Sequence, residues 1–154
     1  MSRIKKILLG VTIIFVAIQF IIPARNKSRQ ILPTDIINTY AVPEKVYAVL
    51  KKACYDCHSN NTRYPWYADL QPFGWQLQQH IKNGKKDLNF SEFGSYSSRR
   101  KINKLRAIDK SIKNGTMPLS SYTLLHKNAR LTKDEKQLII NWTTKIKDSL
   151  SRKN

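Results

Sequence analysis

Apolar and polar positions divide the chain into one nearly unbroken apolar run at the N-terminus and a series of amphipathic stretches behind it. From Ile7 to Ile22 only Gly10, Thr12 and Gln19 interrupt 16 residues, and Arg3, Lys5 and Lys6 stand in front. A segment apolar on every side predicts a secretory signal or a short membrane anchor rather than a core helix. No Ala-x-Ala pattern follows it; the run ends in Pro23-Ala24-Arg25-Asn26, so an uncleaved anchor is the expectation. At about 1.5 Å per residue it reaches roughly 24 Å, and flanking Lys and Arg can snorkel to the interface. Residues 25–42, with Pro33 and few large apolar side chains in register, read as a linker.

From residue 43 onward the period is helical. A first helix opens at Pro43 and carries Val46, Val49, Leu50 and Ala53 on one face. A second runs from near Pro72 to Gly84 with Trp75, Leu77 and Ile81 inward. The third starts after Ser97 or Ser98, aligns Ile102, Leu105, Ile108 and Ile112, and stops at Gly115. Thr132-Lys133-Asp134-Glu135 is a capping box that opens a fourth, with Leu138, Ile139, Trp142 and Ile146 in register. No useful β alternation exists. The expected fold is therefore all-α, a bundle of about four helices preceded by a single N-terminal membrane-spanning helix.

The first helix of that bundle delivers Cys54-Tyr55-Asp56-Cys57-His58 on its last turn. Cys-x-x-Cys-His is the pattern of covalent haem attachment. Two thiols three positions apart can each form a thioether with a vinyl group, and the adjoining His can reach the iron. A bare Cys-x-x-Cys would suit a redox dithiol or half a zinc site. The chain has only two Cys and three His, so no second pair exists to complete a zinc site. The expected cofactor is one haem c with its iron, held by Cys54 and Cys57, with His58 as proximal ligand. The aromatic side chains Tyr64, Trp66, Tyr67, Phe73 and Trp75 crowd the stretch after the motif and are expected to wall a flat apolar ligand.

Met117, His80 and His126 are the candidates for the sixth iron ligand. Met117 sits in Gly115-Thr116-Met117-Pro118 just beyond a helix end, where Pro stiffens a loop that presents a thioether. A Met in a polar loop has no evident core role, so Met117 is the expected distal ligand. His80 lies mid-helix among Gln78, Gln79 and Ile81 and reads as a surface side chain. Arg63 and His126 are candidates to contact haem propionates.

The formal net charge is +18. So basic a chain favours an acidic redox partner or anionic lipid headgroups, and nucleic acid is the weakest of the three for an exported domain. The densest cluster is Arg99, Arg100, Lys101, Lys104 and Arg106, on the third helix. Cations on both sides of the apolar run leave its orientation nearly balanced. Haem attachment outside the bacterial cytoplasm breaks that tie and predicts a single-pass inner-membrane protein with its domain in the periplasm.

The run from Cys54 through Tyr67, then Leu88-Asn89-Phe90-Ser91-Glu92-Phe93, Met117-Pro118-Leu119 and Leu131-Thr132-x-x-Glu135, resembles the small haem-binding-domain family of cytochrome c-like proteins. The resemblance covers roughly residues 40–148. It implies one c-type haem on Cys54 and Cys57, His58 proximal, and Met117 at the matching distal position. The resulting organisation is an anchor or uncleaved signal over 1–24, a linker over 25–42 and a cytochrome c-like domain over 43–150.

Two functions are compatible with these residues. Low-spin His/Met haem cycles between ferric and ferrous iron with little ligand movement, which suits a carrier of single electrons. The alternative is a haem enzyme or sensor in which a displaceable distal ligand makes way for peroxide or a diatomic gas; it wants an open distal site with an acid-base group. The Met117 loop favours the carrier, so an electron carrier rather than a catalyst is expected.

Overall fold

The computed structural model describes residues 2–152. They form eight α-helices and no strand; their one pairing of extended backbone is an isolated bridge between Lys27 and Asn61. The helices are α1 (Arg3–Gln19), α2 (Ile36–Thr39), α3 (Glu44–Ala53), α4 (Tyr55–His58), α5 (Phe73–Asp87), α6 (Ser98–Lys113), α7 (Ser120–Leu125) and α8 (Lys133–Ser151). The all-α expectation holds, and the four long helices expected beyond residue 43 correspond to α3, α5, α6 and α8.

The membrane-spanning helix does not hold. Among the described residues no helix is long and apolar enough to cross a membrane. The apolar run makes α1, which stops at Gln19 after 17 residues, roughly 26 Å against a hydrocarbon core of about 30 Å. Tertiary contacts end it. Gln19 Nε2 donates to the Gln71 carbonyl at 3.2 Å and Gln19 Oε1 accepts the Gln71 N–H at 2.9 Å. Two residues on, the Ile21 carbonyl accepts the Trp75 indole N–H at 2.8 Å. These bonds draw residues 19–21 onto the start of α5, and Ile21 and Ile22 leave the helix.

Residues 25–42, read as a linker, lie against the domain. Asn26 Nδ2 donates to the Ser59 carbonyl at 2.8 Å and to Thr62 Oγ1 at 2.9 Å, and Ile36 is fully buried. Asp35 caps α2 by accepting the Ile37 N–H, and α2 packs on the 3₁₀ turn Phe90–Ser95.

The main core joins Val46, Val49 and Leu50 of α3, Leu105 and Ile112 of α6, and Ile139, Trp142 and Ile146 of α8, with Phe90 and Phe93 beneath. Each fully buried Leu, Ile or Phe contributes about 1.5–3 kcal/mol relative to exposure. Between α6 and α8, Asp109 is buried and accepts from Thr143 Oγ1 and the Lys147 ammonium. Helix ends follow local rules. Thr132 and Glu135 complete the capping box reciprocally at 3.2 and 3.0 Å. After α6, Gly115 takes φ +67° while the Gly115 and Thr116 N–H groups return to the Ile112 and Ser111 carbonyls. That Schellman-type stop releases the chain directly into Met117.

Candidate haem-binding site

The Cys54–His58 motif begins where α3 breaks. The Cys54 N–H still bonds to the Leu50 carbonyl at 2.8 Å, but Cys54 leaves helical geometry at φ −125° and its carbonyl starts the separate turn α4. The motif is therefore a short helix of its own and not the last turn of α3. Gly84 of α5 fits against it: a Cβ at position 84 would stand 2.7 Å from the Cys57 carbonyl oxygen. Sequence reading placed Gly84 at a helix end, yet α5 runs on to Asp87. Its role is close approach of two backbones.

That approach fixes His58. The ring Nδ1 lies 2.9 Å from the Gly84 carbonyl and 3.0 Å from the Leu88 carbonyl. Carbonyl oxygens only accept, so Nδ1 carries the proton and Nε2 keeps its lone pair, the arrangement a ligating imidazole requires. Burial lowers the His58 pKa below its ordinary value, against the opposing pull of the two carbonyls, and favours the neutral ring.

A cavity of about 250 Å³ opens beside this ring. Cys54, His58 and Met117 all line it. Its remaining wall is largely apolar, with Leu88 and Phe90 on one side and Ala107, Ile108 and Ile112 of α6 on the other; Asp87 and Lys104 bring charge. Met117 is 37% exposed, so it borders the mouth. An apolar slot that gathers a thiol, an imidazole with a free Nε2 and a thioether fits a flat iron-bearing macrocycle. Of the two thiols, Cys57 does not line the cavity; it packs against the smaller cluster of Ala68, Leu77 and Ile81. Both cysteines are free. Burial pushes Cys54 up to about 12 and Cys57 up to about 11, opposite to the depressed values of redox dithiols. Among the described residues no group of three or more His, Cys, Asp or Glu could hold a metal ion, so a zinc site has no ligand set.

The aromatic wall expected after the motif is absent from this cavity. Tyr64 and Tyr67 join the smaller cluster, Phe73 and Trp75 stand in the first turn of α5, and Trp66 is 79% exposed. Arg63 and His126 also stand outside the cavity lining. Arg63 pairs with Asp56 and donates to the Lys51 carbonyl at 3.3 Å. His126 shares a hydrogen bond with the Tyr67 hydroxyl at 2.8 Å and stacks on Tyr122 at 4.2 Å. His80 lies on α5 and is absent from the cavity lining too.

Asp56, between the two cysteines, is a residue that sequence reasoning passed over. It is 7% exposed, accepts the Tyr122 hydroxyl at 2.7 Å and the Arg63 N–H at 3.1 Å, and so ties α4 to α7. Burial and that bond raise the Tyr122 pKa above its ordinary value, keeping the hydroxyl a donor. A buried acid inside a short motif was the available signal, because a carboxylate there requires partners.

A family model described as a haem-binding domain matches residues 13–145. The chain belongs to this haem-binding-domain family. No curated protein and no solved structure matches it significantly. Within this haem-binding domain, one cavity brings Cys54, His58 and Met117 together.

Proposed function

We propose that this haem-binding domain is a c-type cytochrome that carries single electrons. Cys54 and Cys57 would hold the haem through thioethers, and His58 Nε2 and Met117 would ligate its iron. When bound, the haem supplies a one-electron couple. The chain's own residues fix the imidazole through the Gly84 and Leu88 carbonyls, exclude water with Leu88, Phe90, Ile108 and Ile112, and set Met117 on a stopped helix. The observation that carries this reading is the shared cavity of Cys54, His58 and Met117. Thioether attachment places the protein outside the cytoplasm, on the periplasmic side. An acidic protein is its electron partner, matched to a chain of net charge +18.

The test is spectroscopic. The chain is produced with a haem-maturation system, and spectra of wild type and Met117→Ala are compared. Wild type is expected to be low-spin with a sulfur-to-iron charge-transfer band, and Met117→Ala to lose that band and become high-spin. A high-spin wild type with rapid peroxide turnover would instead establish an enzyme with an open distal site.

A further inference from the structure

The motif turn α4 separates two cavities. Cys54 and His58 face the first; Tyr55, Asp56 and Ser59 face a second of about 280 Å³ that none of the preceding chemistry uses. About 150 Å³ suffices for benzene, so the second cavity has room for one ring and its substituents.

Its chemistry is polarised. Arg29 and Lys51 line it, and among the described residues neither pairs with a carboxylate. The third cation, Arg63, is committed to Asp56. Asp56 is answered by Arg63 and Tyr122. Asp35 differs. It is 3% exposed, its Oδ1 accepts from the Tyr55 hydroxyl at 3.1 Å and the Ile37 N–H at 3.2 Å, and its Oδ2 accepts from no described residue. Asp35 lines the cavity, and this second oxygen is open to a donor from a ligand there. The Lys51 ammonium lies over the Tyr47 ring at 5.6 Å, and Tyr47 meets Tyr55 ring to ring at 5.7 Å and 83°. The cavity thus presents cations, aromatic faces and a hydrogen-bond acceptor together.

The same tyrosine connects the cavity to the haem side. Tyr55 stacks on Phe90 at 5.1 Å and 13°, and Phe90 meets the His58 ring edge-on at 6.3 Å. The Tyr55 hydroxyl is held by the carboxyl group that a ligand would engage.

We propose that the second cavity binds a small aromatic hydroxy acid, and that Tyr55 and Phe90 pass its occupancy to His58. The carboxylate lies by Arg29 and Lys51, the ring against the tyrosines, and the hydroxyl donates to Asp35. The transmission rests on His58 ligating haem iron; the binding does not.

Calorimetric titration of the haem-loaded full chain with 4-hydroxybenzoate, benzoate and phenol tests the site, with the Soret band followed in parallel. Expected are saturable one-to-one binding of 4-hydroxybenzoate, at least about tenfold weaker binding of benzoate and phenol, and a similar loss in the surface variant Arg29→Gln/Lys51→Gln. At saturation the Soret band of wild type shifts. In Tyr55→Phe, which keeps the stacked ring but not the bond to Asp35, that shift falls by half or more. No saturable heat up to about 10 mM, or unchanged affinity in Arg29→Gln/Lys51→Gln, would overturn the site. Binding with an unmoved Soret band would overturn the transmission. A high-spin wild-type spectrum would count against Met117 ligation alone and leave the calorimetry as it stands.

Discussion

Gly84 shows how one missing side chain organises the site. An added Cβ would meet the Cys57 carbonyl oxygen at 2.7 Å and the Cys57 Cβ at 3.2 Å, and backbone cannot yield as a flexible side chain can. Alanine gains about 1 kcal/mol in helix propensity, while overpacking of this kind costs about 1–3 kcal/mol. We expect Gly84→Ala to destabilise the domain by about 1 kcal/mol and to lower haem incorporation, since α5 must move away and take the Gly84 carbonyl from His58 with it. Urea unfolding and the haem-to-protein absorbance ratio measure both. Gly10→Ala is the control, because nothing lies within 4 Å of a Cβ there. At this scale haem binding was legible, because the signal for it lies within five consecutive residues. Asp56 and Gly84 were not, because their partners Tyr122 and Cys57 lie far along the chain.

At the scale of elements, α8 rests on a cap that doubles as a tertiary contact. Glu135 accepts the Thr132 N–H and pairs with the Lys52 ammonium of α3. Burial raises its pKa, but Lys52 and Thr132 outweigh that and hold it below the ordinary glutamate value. A lowered folded-state value means stability present above the unfolded pKa of about 4.3 and lost as pH falls through the folded value. Glu135→Gln retains the reach to the Thr132 N–H, so it isolates the charge. We expect it to unfold at lower urea at pH 7, by about 0.5–1 kcal/mol, and the gap from wild type to close as pH drops below about 4. Capping signals predicted the starts of α6 and α8 because each is settled within a few residues. The break of α3 at Cys54 and the continuation of α5 past Gly84 escaped sequence reading, since packing between α4 and α5 decides them.

Over the whole molecule, charge and cavity share one helix. Arg99, Arg106, Lys110 and Lys113 fall along one exposed line of α6 at spacings of seven, four and three, while Lys104, Ala107, Ile108 and Ser111 on the adjoining edge line the cavity beside His58. No cation of that line is in an ion pair among the described residues, and Asp109, the one acid of α6, is turned inward to Thr143 and Lys147. With reduced flavodoxin as acidic probe, stopped-flow reduction of the variant Arg99→Glu/Arg106→Glu/Lys110→Glu is expected to be at least about tenfold slower at low ionic strength. The difference should vanish near 0.5 M salt. Reversing Lys133 and Lys145 on α8 and Arg152 at its C-cap should slow it far less; equal slowing would mean that net charge alone steers encounter, and tight binding of wild type to anionic vesicles would assign the α6 line to lipid. Sequence by itself determined that the chain binds haem, the all-α class and the helix caps, because these signals lie in residues within a turn or two of one another. Tertiary structure alone decided that the apolar run stops as a helix at Gln19, that the cavity wall comes from Leu88, Phe90 and α6 rather than from the aromatics after the motif, and that Arg63 answers Asp56. Those outcomes turn on hydrogen bonds and packing between residues distant along the chain, where local pattern carries no information about which surfaces meet.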